Sequence, residues 1–139
     1  MIKLIIGSKG SGKTKKLIDL VNQTAESSKG NVVCVEKGDT LTYNITHKAR
    51  LIDADAYGIS GYNELYALLC GIYSSNHDVT DIFVDATLRL GERDYDMLAD
   101  FFDRLSAASE DSNTNYTFTL SCPESDLPAK IFDLAEVIK

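Results

Sequence analysis

Eight consecutive residues, Gly7, Ser8, Lys9, Gly10, Ser11, Gly12, Lys13 and Thr14, follow the apolar run MIKLII and combine three glycines, two lysines and three hydroxyl side chains. Residue types in this order suit an oxyanion. Glycines let the backbone take tight, partly left-handed turns and let a phosphate come close. Successive N–H groups then converge on one concavity, at the positive end of the helix that follows. Lys13, expected to be exposed without ligand, would set a point charge on the β- and γ-phosphates, and Thr14 would offer its hydroxyl to Mg²⁺. The ion needs a second anchor, a carboxylate at the end of a buried strand acting through water, and DIFVDA supplies Asp85. Asp53 and Asp55 in LIDADAY are rival carboxylates on a weaker strand. Lys9, and Lys15 and Lys16 just past the motif, read as solvated residues that add to the local positive field.

The elements that would hold these residues are legible from periodicity. Lys3–Ile6 reads as a buried strand ended by Gly7. A helix is expected from about Gly12 to Ser28, with Leu17, Ile18, Val21 and Ala25 at helical spacing. A second strand follows at Val32–Glu36. Residues 37–60 hold one or two short strands, with the alternation in LTYNITH and the run ARLIDA as candidates. A helix fits Tyr62–Tyr73, a buried strand ends at Asp85, and a long helix covers roughly Glu92–Ala108, its acidic first turn suiting the helix dipole. YTFTLS is a strand ending at Ser121. Pro128 opens a short helix, and one more strand is a candidate at Glu136–Ile138. Strands separated by helices imply a mainly parallel sheet of about five strands covered on both faces. With 139 residues and no linker or repeat, a single domain is expected over 1–139.

The motif G-x-x-x-x-G-K-[ST], as Gly7, Gly12, Lys13 and Thr14 between a strand and a helix, resembles that of the P-loop NTPase superfamily. The resemblance implies a three-layer αβα fold with ATP and Mg²⁺ as cofactors. LIIGSKGSGKTKKLIDLV, DIFVDA and LPAKIFDLAEVIK are similar to the opening, Mg²⁺-binding and closing parts of the thymidine-kinase-type core in the RecA-like branch. That branch commonly places a catalytic Glu directly after the Mg²⁺-linked Asp, and Ala86 stands there in this chain. The zinc element and nucleoside lasso of thymidine kinases have no counterpart. EKGD at Glu36–Asp39 departs from the guanine-reading N-K-x-D in its first residue and comes too early in the chain. In the same branch the strand ending at Ser121 would lie between the P-loop strand and the Mg²⁺ strand, where a polar residue can sense the γ-phosphate.

With Ala86 in the base position, Glu92 and Asp94 on the following loop are the candidate catalytic carboxylates, with Thr87 beside them, and Lys13 acts on the transferred phosphate. Arg89 and Arg93 on that loop can stabilise transferred charge. Three readings stay open: an ATP-binding module with slow hydrolysis, a small-molecule kinase with residues 39–60 and 86–95 forming its acceptor pocket, and an ATPase completed in trans by a protein partner or a second copy. A net charge of −7 argues against nucleic-acid binding. The charge is uneven: residues 1–50 hold nine Lys/Arg and four Asp/Glu, the remainder five and seventeen, so the glycine-rich end is the one that suits an anion. No apolar run reaches the ~18 residues of a membrane span, and the N-terminus has no signal-peptide pattern, so a cytoplasmic location is expected. Cys34, Cys70 and Cys122 are far apart and read as free thiols.

Overall fold

A computed structural model describes residues 1–139. Six strands form one sheet: β1 (Ile2–Gly7), β2 (Asn31–Glu36), β3 (Ala49–Asp53), β4 (Val79–Asp85), β5 (Asn115–Ser121) and β6 (Ala135–Val137). Their order is β3-β2-β4-β5-β1-β6, and every neighbouring pair is parallel. The sheet therefore has six strands where about five were expected. The helices are α1 (Lys13–Ser27), α2 (Tyr62–Ser75), a four-residue α3 (Thr87–Leu90), α4 (Tyr95–Ala108) and α5 (Ala129–Leu134). No helix is long and apolar enough to cross a membrane.

Both faces of the sheet are covered, as a parallel sheet requires. Residues of alternate parity along each strand divide between the faces. Leu4, Val33, Val35, Ile82, Val84, Tyr116, Phe118 and Leu120 join the larger core with Leu65 and Leu69 of α2, and with Leu98, Phe101, Phe102 and Leu105 of α4. Ile5, Val32, Cys34 and Phe83 point the other way and meet Leu17 and Val21 of α1. Each such fully buried aliphatic side chain contributes about 1.5–3 kcal/mol. On β5 the α1-facing positions are Thr117 and Thr119, buried but polar.

Two expectations need correction. LTYNITH is not a strand. Leu41 and Ile45 are both buried against α1, and the Asn44 and Ile45 N–H groups donate to the Leu41 carbonyl. The apolar spacing there is that of a helical turn. The turn is held at its start by Glu36, whose carboxylate accepts from Thr40 N (3.0 Å), Leu41 N (3.2 Å) and the Thr40 hydroxyl. The long helix starts at Tyr95 rather than Glu92. The Asp94 side chain accepts from the Asp96 and Met97 N–H groups at 3.1 Å each, so it stands outside the helix as its cap.

Candidate functional site

The C-terminal ends of β1, β5 and β4 open onto a cleft of about 880 Å³. Its floor is the glycine-rich loop. Gly10 and Gly12 sit at φ +83° and +88°, a left-handed conformation that costs a side-chain-bearing residue about 1–2 kcal/mol. Gly12 turns the chain directly into α1, and no side chain caps that helix and no acidic residue lies in its first turn. The first-turn N–H groups of an α-helix have no intrahelical acceptor, so those of α1 open toward the cleft end with a positive dipole behind them. By contrast, α4 satisfies its own start with Asp94.

The basic residues Lys9, Lys13, Lys15, Arg89 and Arg93 line the cleft, and Asp85 is its one acidic residue. In a chain of net charge −7, this is a concentrated positive surface. Lys13 is buried, which corrects the expectation of an exposed ammonium. Its stem lies within the loop, and Nζ donates to the Ser8 carbonyl at 2.8 Å. Arg93 donates to the Ser121 carbonyl at 2.8 Å and so ties the segment between α3 and α4 to the end of β5. Lys15 is exposed and pairs with Asp19 at 3.2 Å.

Thr14 and Asp85 meet across the cleft. The Thr14 hydroxyl donates to Asp85 Oδ2 at 3.4 Å, joining residues 71 apart in the chain. The other oxygen, Oδ1, accepts from the Thr119 hydroxyl at 2.5 Å. These are hard oxygen donors of the kind that could hold Mg²⁺. No group of three or more His, Cys, Asp or Glu side chains is placed so as to hold a metal ion.

The other candidates are placed as follows. Gly10, Gly12, Lys9, Lys13, Thr14, Asp85 and Ser121 line the cleft. Gly7 lies beside Ser121 in the β1–β5 register, and Ser8 and Ser11 close the loop through a Ser11 N–H bond to the Ser8 carbonyl. Glu92 and Asp94 are not among the lining residues: Asp94 caps α4, and the Glu92 carbonyl accepts from the Tyr62 hydroxyl at 2.5 Å. Thr87 is fully buried, with its hydroxyl unpartnered, below the cleft wall. Asp53 and Asp55 are committed elsewhere. Asp53 accepts from the Gly38 and Asp55 N–H groups, and Asp55 pairs with Lys37 at 2.8 Å. No residue of 39–60 lines the cleft.

Two residues beside Asp85 were not read from sequence as its neighbours. Glu36 is the register partner of Asp85 on β2, buried at the same level of the sheet. Thr119 reaches Asp85 from the other side. Its signal was the alternation in YTFTLS, which puts threonines on one face. Below this row, burial pushes the Cys34 thiol up to about 12, with Asp85 and then Glu36 adding repulsion, so it stays protonated at neutral pH. No protein-family model matches the chain, and no curated protein matches its sequence.

Proposed function

We propose that the chain binds a nucleoside triphosphate, ATP in the first instance, with Mg²⁺ in the manner of P-loop NTPases, and hydrolyses it slowly alone or faster with a partner. The observation that carries this reading is the meeting of Thr14 and Asp85, 3.4 Å apart, in a cleft with five basic side chains and one carboxylate. The strand order supports it as well: β5 lies between β1 and β4, the spacing the RecA-like resemblance implies. In this reading the N–H groups of the loop and of the first turn of α1 hold the phosphate oxygens. The Lys13 ammonium turns from the Ser8 carbonyl to a phosphate, and Thr14 and Asp85 hold the Mg²⁺. The ion would neutralise phosphate charge and orient the terminal phosphate. The kinase alternative drew its acceptor pocket from residues 39–60 and 86–95: Ala86, Leu88, Arg89 and Arg93 of the second stretch line the cleft and none of the first does, so only half of that pocket has support.

Lys13→Ala tests the reading. A hydrogen bond to a charged group contributes about 1.5–3 kcal/mol, so ATP affinity measured by calorimetry should fall about tenfold to hundredfold. Circular dichroism of both proteins checks that the fold survives loss of the Ser8 contact. Equal affinities, or no ATP binding by the wild type, would overturn the proposal.

A further inference from the structure

We infer that Thr119 is a positioning residue for the Mg²⁺ site: it fixes the rotation of the Asp85 carboxylate so that Oδ2 is presented to Thr14 and the ion. The inference rests on the Mg²⁺–nucleotide reading above. The register that pairs Val84 with Phe118 carries Asp85 on to the level of Thr119. Thr119 sits on the α1-facing side of β5 and is 2% exposed. A threonine hydroxyl has one proton to give. Two acceptors lie within reach, Asp85 Oδ1 at 2.5 Å and the Val84 carbonyl at 3.5 Å. The short contact to an ionised oxygen is the stronger, and the second lies at the limit of hydrogen-bond geometry.

The consequence is a division of labour between the two carboxylate oxygens. Oδ1 is held from inside the sheet by a buried, β-branched side chain with little rotamer freedom. Oδ2 is left facing Thr14, which lies on a different element and is itself exposed. A carboxylate at a strand end without such a donor swings freely about its terminal bond and presents either oxygen. Nothing else in the chain donates to Oδ1. Cys34, Glu36 and Thr14, which surround Asp85 from β2 and α1, are an undissociated thiol, a carboxylate already engaged by Thr40 and Leu41, and the donor to the opposite oxygen.

The test compares ATP affinity in Mg²⁺ with ATP affinity in excess chelator for the wild type, Thr119→Val and Thr119→Ser. The ratio of the two affinities isolates the metal from general damage to the fold. Valine keeps the shape and removes the proton, and the ratio should fall about tenfold while metal-free affinity stays near the wild-type value. Serine keeps the donor, and the ratio should return to within about threefold of wild type. Thr119→Ala carries the same comparison if the valine variant does not fold. A valine or alanine variant with the wild-type ratio, or a serine variant that loses as much as valine, overturns the role of Thr119 and leaves the nucleotide reading standing. Absence of ATP binding by the wild type under both conditions overturns the reading and the inference together.

Discussion

Asp85 joins three elements through two oxygens, to Thr119 on β5 and Thr14 on α1 from its own place at the end of β4. It is also the one negative charge in a cleft lined by five basic residues. These two facts give Asp85→Asn opposite effects in two conditions. Without Mg²⁺, loss of a negative charge beside the phosphates should leave ATP affinity unchanged or raise it. With Mg²⁺, loss of an anionic anchor should lower affinity, by about tenfold if one charged interaction is removed. Calorimetry in each condition checks this, and equal changes in both would argue that Asp85 holds no metal. Asp53 and Asp55 do not stand by as substitutes. One secures the turn after β2 and the other is paired with Lys37. The exposed position of Asp55, and the fact that backbone N–H groups consume Asp53, were invisible in a string that shows only carboxylates two residues apart.

Among the elements, the start of α4 shows how one side chain can be read two ways. Asp94 lies close in sequence to Asp85, which made it a candidate base, yet it accepts two backbone N–H bonds at the helix start. Asp94→Ala should cost about 1 kcal/mol as a lost cap, a fall in melting temperature of about 3 °C for a domain of this size, while Mg²⁺–ATP affinity and turnover stay unchanged. A drop in turnover with an unaltered melting curve would restore its catalytic role. The same distinction explains what was legible beforehand. β1, α1, β2, α2, β4 and β5 announce themselves because each carries a strong period of apolar residues with a turn signal at its end. The stretch from 37 to 48 does not, since Leu41, Ile45 and Asn44 fit alternation as well as a helical turn, and the deciding contacts come from Glu36 and α1. α3 spans only four residues, too short for any period. Gly7–Thr14 was legible because backbone conformation itself demands the glycines. Thr119 was not, because its importance depends on the register that sets it level with Asp85 on the neighbouring strand, and a sequence does not show register.

For the whole molecule, the parallel sheet sets the C-terminal ends of its neighbouring inner strands β4, β5 and β1 side by side and brings the basic N-terminal part of an acidic chain to face Asp85. In the proposed reading that arrangement would supply positioning and charge neutralisation for a phosphate chain. Asp85 is the one carboxylate lining the cleft: Ala86 follows it, Glu92 is not a lining residue, Asp94 is a cap, and the buried Glu36 carboxylate accepts three hydrogen bonds from residues 40 and 41. General-base catalysis contributes about 10²–10⁴-fold, so the isolated protein should turn ATP over well below the median enzyme rate of about 10 s⁻¹. Phosphate release by purified protein measures this directly. A specific activity that rises with protein concentration would indicate that a second copy supplies the missing group, while a flat one would leave a slow binding module. Ala86→Glu places a carboxylate next to the Mg²⁺ anchor, on the half-buried residue that lines the cleft, and should raise the rate at unchanged ATP affinity. If wild-type protein alone hydrolyses ATP at ordinary enzyme rates, the group that activates water is already present, and Glu92→Ala and Asp94→Ala, measured separately, would show whether it is either of the carboxylates that follow the Asp85 strand.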